Sequence, residues 1–389
     1  MKRLLLKGTF VAYLLIGLEI FIMISPFAAY FYSLYAPAIK LLYSTPATGW
    51  LAEFFLPHFL FPEAPFLKVL GGLQLVTFFV GLGLFFTAAL PLYYAKFRKR
   101  GVVSKGIYCH IRHPQYLGLG IAGFGLLLYW PRFIILVTYL TMLFLYNLLA
   151  RNEEQRMLGS HGESYRQYME TVPMFLPGGK GERIFRPIER TLGSRAAAMA
   201  VLYLSVLLLS LGTALLVRSY SIGAIPMADV KGVAVVSVLP MAKSGMEQLV
   251  GTAMDSRKSD RKEAEPTMAY IMPSDFFLMA LVTDLERLYP PDFEKPAGGS
   301  TVVRFVKIFI NYTRVQLGLY RDENPIKRII FISVQDKERR PLHGRAIFSI
   351  GSQRYPLFHA DVDSLTGQVL SYRDLMPRHK WGELPMPIF

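Results

Sequence analysis

A single cysteine, Cys109, stands among 389 residues. No intramolecular disulfide can form, and no cysteine-based zinc cluster can be assembled. Charge is missing in long blocks. Residues 69–95 and 196–217 contain no Asp, Glu, Lys or Arg. At about 1.5 Å per helical residue, each block is long enough to cross a hydrocarbon core of about 30 Å. Residues 8–35 are broken only by Glu19, and residues 116–150 only by Arg132 beside Pro131. The mean hydropathy of +0.33 reflects these blocks. No small-x-small cleavage site follows the first block, so it reads as a retained helix and not as a signal peptide.

Acid is absent from the two densest basic stretches, residues 1–7 and 96–115. Residues 96–115 hold six Lys/Arg and no acid. Residues 1–7 hold three Lys/Arg and residues 151–195 hold eight, whereas residues 36–68 hold only Lys40 and Lys68. This is the positive-inside pattern, and it predicts that the three basic segments are cytoplasmic. The net charge of +15 then reflects orientation and contact with anionic lipid, which argues against a nucleic-acid partner.

The pattern predicts an α-helical integral membrane protein with about five membrane helices, two of them forming a hairpin that turns at "YWPRF", 129–133. Arg132 would snorkel to the far interface. The loop after the first helix holds Pro37, Pro46, Pro57, Pro62 and Pro65, and its "GWLAEFFLPHFLF", 49–61, reads as interfacial. Residues 153–172 read as an amphipathic helix bent at Gly159 and Gly162. Residues 1–217 form the membrane domain. Residues 218–389 read as an extracytoplasmic α+β domain. In it, strands are expected in "VKGVAVVSVLP" and "VVRFVKIFI", a helix over 274–289, a loop over 256–266, and a hairpin over 358–372 around Leu-Thr-Gly.

Polar chemistry concentrates at one membrane edge. Tyr108, Arg112, His113, Pro114, Tyr116 and Gly118 precede the hairpin, and Glu153 and Glu154 end it. A hairpin brings its two ends together, so these groups form two walls of one pocket. Carboxylates suit an amino group or a ribose diol. Aromatic faces suit a sulfonium or a flat base. Helix-start N–H groups suit a carboxylate. Gly162-x-x-Tyr165-x-x-Tyr168, then Val172 and Pro173, follow.

The stretch "GIYCHIRHPQYLG … NEEQRMLGSHGESYRQYMETVPMFLP" resembles the isoprenylcysteine carboxyl methyltransferase and phospholipid methyltransferase superfamily, over about residues 69–180. The resemblance implies a membrane enzyme that uses S-adenosylmethionine on a lipid-like or small apolar acceptor. It implies that Tyr108, His113, Pro114, Tyr116, Gly118 and Glu154 bind the cofactor, with Glu153 beside them. Arg112 and Glu153 would be the catalytic residues, Arg112 either where substrate and cofactor meet or as a brace for the hairpin.

Other readings stand beside this one. Membrane sterol-reductase-like proteins carry a similar Arg-His-Pro-x-Tyr segment and use NADPH, but usually lack the glutamate pair, so Glu153-Glu154 favours the methyltransferase. A non-enzymatic anchor or sensor presenting residues 218–389 is a third reading. His110, His113 and Cys109 make a poor metal set, having no fourth ligand. Tyr165 and Tyr168 fit packing better than catalysis. Glu19 is either functional or a partly solvated structural carboxylate. Asn147 and Arg151, one turn apart, either line the pocket or pack.

Overall fold

The structure, a computed structural model, describes residues 2–34, 36–45, 47–58, 60–98, 101–175, 181–256, 265–274, 310, 313–315 and 319–375. The chain divides into two compact units. One comprises residues 1–35, 73–130 and 134–213, and the other residues 36–72, 131–133 and 214–389.

The first unit is helical. Its elements are α1 (Lys2–Tyr32), most of α3 (Pro65–Phe97), α4 (Pro114–Tyr129), α5 (Phe133–His161), α6 (Glu163–Thr171), α7 (Gly181–Leu192) and most of α8 (Arg195–Ala224). Among the described residues, four helices are long and apolar enough to cross a bilayer, in α1, α3, α5 and α8. The fifth expected crossing, α4, has 16 residues, about 24 Å by helical rise, which is shorter than the hydrocarbon core.

Small residues let the helices approach. A Cβ on Gly118 of α4 would lie 2.6 Å from the Phe85 backbone nitrogen of α3, and one on Gly125 would lie 2.5 Å from the Gln74 carbonyl. Backbone meets backbone there, which is how apolar helices associate without a hydrophobic driving force. Polar side chains complete the bundle. Tyr30 Oη donates to the Gly123 carbonyl at 2.6 Å, Tyr139 Oη donates to the Gly120 carbonyl at 3.2 Å, and Ser33 and Thr138 hydroxyls meet at 3.1 Å. Glu19 is ion-paired with Lys96 across α1 and α3.

The helix break in the 153–172 stretch falls at Gly162 alone. There φ is +55°, a conformation glycine tolerates. The helix runs straight through Gly159.

The second unit holds the short helix α2 (Ala36–Tyr43) and, among its described residues, a six-stranded sheet in the order β1 (Ala228–Val230), β2 (Val233–Ser237), β3 (Met268–Pro273), β4 (Ile326–Gln335), β5 (Gln353–Asp363), β6 (Val369–Asp374). Among the described strands, only the β2–β3 pair is parallel. Parallel neighbours need a crossover, and α9 (Lys243–Asp255) lies within it. Met246, Val250 and Ala253 of α9 are buried with Val235, Ile271, Phe331 and Phe358 of the sheet. The expected hairpin over 358–372 is β5–β6. Its turn is held by Asp363 Oδ1, which accepts from the Leu365 and Thr366 amides, and by Gly367 at φ +71°. The strand expected over 302–310, the helix over 274–289 and the loop over 256–266 fall largely outside the described residues.

One expectation about this unit is corrected. Arg132 does not snorkel. It is 2 % exposed, its guanidinium lies 4.0 Å from the Phe54 ring centroid, and Nη1 donates to the Ala52 carbonyl. The segment 49–58, read from the sequence as interfacial, packs against residues 131–133 of this unit. After one 3-10 turn at Gly49–Ala52 it runs irregularly, with Ala52, Glu53 and Phe54 fully buried. An irregular buried backbone needs partners. Phe55 N donates to the Pro131 carbonyl, Phe133 N to the Glu53 carbonyl, and Arg218 to the Phe54 and Phe348 carbonyls.

Candidate functional site

The site is built on the turn that enters α4. Arg112 N donates to the Pro173 carbonyl at 2.9 Å and His113 N to the Met174 carbonyl at 3.1 Å. The Val-Pro stretch after α6 thus clamps the backbone just where the two polar side chains leave it. Pro114 opens α4, where a missing N–H costs nothing and a fixed φ suits the helix. Tyr108 lies under the turn. Its hydroxyl meets the Ala88 carbonyl at 3.1 Å and Gln115 Oε1 at 3.3 Å, and its own carbonyl accepts from Tyr168 Oη at 2.6 Å.

The hairpin closes as expected. Glu153 and Glu154, in the last third of α5, reach the α4 entrance. Arg112 Nε donates to Glu154 Oε1 at 2.7 Å, and His113 Nε2 lies 3.1 Å from the same oxygen. The three side chains are 9 %, 5 % and 6 % exposed for Arg112, His113 and Glu154. Arg112 Nη1 also reaches the carbonyls of Met169 and Val172. Those carbonyls lie at the C-terminal end of α6, where unpaired acceptors and the helix dipole favour a cation.

Glu153 is placed differently. Its side chain is 24 % exposed. Oε1 accepts from Tyr116 Oη at 2.5 Å, and Oε2 lies 3.5 Å from His113 Nδ1, beyond a hydrogen bond. Burial pushes the His113 imidazole down, but the carboxylates of Glu153 and Glu154 on its two sides outweigh that, and its pKa is raised above the ordinary 6.5. His113 is thereby biased toward the imidazolium.

A cavity of about 520 Å³ adjoins this network through Tyr116. Tyr146, Phe175, Tyr139, Phe124, Gly120 and Asn147 are among its walls. Tyr116 stacks on Tyr146 at 4.8 Å, and His113 lies 5.9 Å from the Phe175 ring. The volume and mostly apolar lining are those of a small-molecule site.

This arrangement is a polar network, buried at one end and open at Glu153, set against an aromatic cavity in a helical bundle. Residues 64–164 match the phospholipid methyltransferase family. The matched methyltransferase segment runs from the head of α3 to the start of α6. It contains Arg112, His113, Tyr116, Glu153 and Glu154, and it agrees with the superfamily resemblance of the motif. The family is one of membrane methyltransferases. No curated protein and no solved structure matches the chain.

The candidate residues separate into groups. Arg112, His113, Tyr116, Glu153 and Glu154 are joined by direct contacts. Tyr108 and Pro114 shape the turn. Gly118 lies apart from them, pressed against the α3 backbone. Tyr165 is buried, with its ring 5.7 Å from Tyr168. Asn147 lines the cavity and accepts from Arg151 Nε at 2.8 Å. The motif reading passed over Tyr139 and Tyr146. A signal existed, because both lie at seven-residue steps before Glu153 and so on its side of α5. Phe175 carries no such signal, since it lies on an irregular segment.

Proposed function

We propose that the chain is a membrane-embedded, S-adenosylmethionine-dependent methyltransferase, isoprenylcysteine carboxyl methyltransferase-like, that acts on a lipidic or small apolar acceptor. The observation that carries this is the Arg112–Glu154–His113 network joined through Tyr116 to the aromatic cavity. The residues present fit the cofactor. Tyr116, Tyr146 and Phe175 offer ring faces to a cation or a flat base. Glu153, partly exposed beside His113, offers a carboxylate, and Asn147 an amide.

When bound, S-adenosylmethionine supplies an electrophilic methyl group on a sulfonium. The chain's own residues bind, orient and exclude water. Glu153 and Tyr116 hold the polar part of the ligand at the cavity rim. Glu154 is already engaged by Arg112 and His113, so it acts by fixing them. Arg112 braces the α4 entrance against the end of α6. Holding two reactants aligned in a water-poor cavity accounts for catalysis when the acceptor is a good nucleophile.

The positive-inside charge pattern supports a cytoplasmic site within a membrane domain of residues 1–217 and an extracytoplasmic domain of residues 218–389. Calorimetric titration of the detergent-purified protein with S-adenosylhomocysteine tests the reading. Binding is expected in the wild type and should be lost in Glu153→Gln. Failure of the wild type to bind, with NADPH binding in its place, would refute it.

A further inference from the structure

A second cavity, of about 500 Å³, lies between α5, α7 and α8 on the other side of Asn147. Its composition is graded from end to end. On α5 its lining residues are Leu140, Leu143, Phe144, Asn147 and Arg151, which form one helical stripe. On α8 they are Arg195, Met199, Leu202, Tyr203 and Val206, a second stripe. Both stripes begin or end in an arginine and become apolar away from it. The polar ends coincide, because α7 adds Arg186 and Glu189 to the lining. The guanidinium of Arg195 lies 5.7 Å from the Phe185 ring of α7. Farther along, the two stripes are tied by the Thr141 and Tyr203 hydroxyls at 2.8 Å and by the Phe144 and Tyr203 rings at 5.0 Å. Three guanidinium groups face one carboxylate at the head. The trough from Arg151 to Leu140 spans eleven helical steps, about 16 Å by helical rise.

We propose that this cavity binds an anionic amphiphile, with a phosphate or carboxylate head among Arg151, Arg186 and Arg195 and an acyl or prenyl chain along α5 and α8. A net positive pocket between membrane helices selects anionic headgroups. Planar guanidinium groups recognise phosphate and carboxylate with paired hydrogen bonds. α7 and α8 lie outside the segment that matches the phospholipid methyltransferase family. It does not depend on methyl transfer at the first cavity. The ligand could be a resident membrane lipid or the methyl acceptor itself. The head chemistry is the same in both cases.

The test is native mass spectrometry of the full chain released from mixed micelles holding equal phosphatidylglycerol and phosphatidylcholine. The wild type should retain one phosphatidylglycerol, on the order of tenfold above the micelle ratio. Arg151→Gln with Arg195→Gln should return retention to that ratio. Leu202→Trp, which fills the trough without changing charge, should lower retention of both lipids. Arg166→Gln on α6, remote from the cavity lining, is the control for general surface charge. Adding S-adenosylmethionine separates the two sources. A methylene's gain in mass on the retained lipid marks it as acceptor, and an unchanged mass marks it as resident. Wild-type retention at the micelle ratio would overturn the proposal. So would an equal loss in Arg166→Gln, or enrichment that survives the double substitution in a folded protein.

Discussion

The two adjacent glutamates should fail in different ways when each is made an amide. Glu154→Gln removes a charge that faces a buried guanidinium and a buried imidazole. In the wild type one oxygen, Glu154 Oε1, accepts from Arg112 Nε at 2.7 Å and faces His113 Nε2 at 3.1 Å, all within side chains under 10 % exposed. Arg112 would keep only the Met169 and Val172 carbonyls. Taking one partner from a buried pair costs about 3–5 kcal/mol, mostly for the charge left behind. With about 2–4 °C per kcal/mol for domains of this size, melting should fall on the order of 10 °C. Glu153→Gln is milder. Its side chain is 24 % exposed, and the amide oxygen can still accept from Tyr116. The expected cost is about 1 kcal/mol, yet cofactor binding should be lost. Thermal unfolding in detergent, paired with S-adenosylhomocysteine titration, reads both quantities. If Glu153→Gln melts as early as Glu154→Gln, or if Glu154→Gln melts like wild type, the division of labour drawn from these contacts is wrong.

Three other outcomes follow from the same structure. Gly118→Val should cost at least about 3 kcal/mol, because its Cβ would meet α3 backbone and not a movable side chain. Gly83→Ala, with open space around it, should be near neutral in the same melting assay. Arg132→Met should cost about 1–3 kcal/mol by stranding the buried Ala52 carbonyl, seen as faster hydrogen exchange at the Phe55 and Phe133 amides. His359, which burial and the nearby Arg328 push down to about 4 despite Asp361, is neutral when folded. Its contribution to stability is full above 6.5 and drains away as pH falls toward 4, by about 3 kcal/mol. Hydrogen exchange in β5 should show that loss, and His359→Asn should remove it.

The sequence exposes what is local and periodic. Uncharged blocks mark α1, α3, α5 and α8 because length and charge alone decide whether a helix can cross hydrocarbon. The Asp363–Gly367 turn is readable because an Asp side chain and a positive-φ glycine are each short-range requirements. Arg132 was not readable in this way. An arginine at a hairpin tip is ordinarily a surface anchor. Its burial depends on Phe54 and Ala52, about eighty residues earlier, in a segment with no periodicity to announce it. The clamp of Arg112 and His113 by Pro173 and Met174 was hidden for a similar reason. It uses backbone groups, which every residue has, so no residue type marks it.

The glutamate pair lies between these cases. Neighbours on an α-helix point about 100° apart, so Glu153 and Glu154 cannot face the same group equally. The sequence shows two acids at the end of α5 but not which one turns inward. Packing decides it. Glu154 falls on the side where the guanidinium of Arg112 is held by the end of α6, and a buried cation needs a full counter-charge. Glu153 is left toward Tyr116 and the cavity, with one oxygen only loosely engaged by His113. On the proposed reading, one acid fixes the wall and the other meets the ligand. For that reason, exchanging the Arg112 charge as well should rescue the fold but not the binding. Arg112→Met with Glu154→Met should melt closer to wild type than Glu154→Gln does, because no uncompensated charge remains at that contact. It should still bind S-adenosylhomocysteine weakly, because His113 has lost its inner partner. A double variant no more stable than Glu154→Gln would show that shape, and not charge compensation, governs this wall.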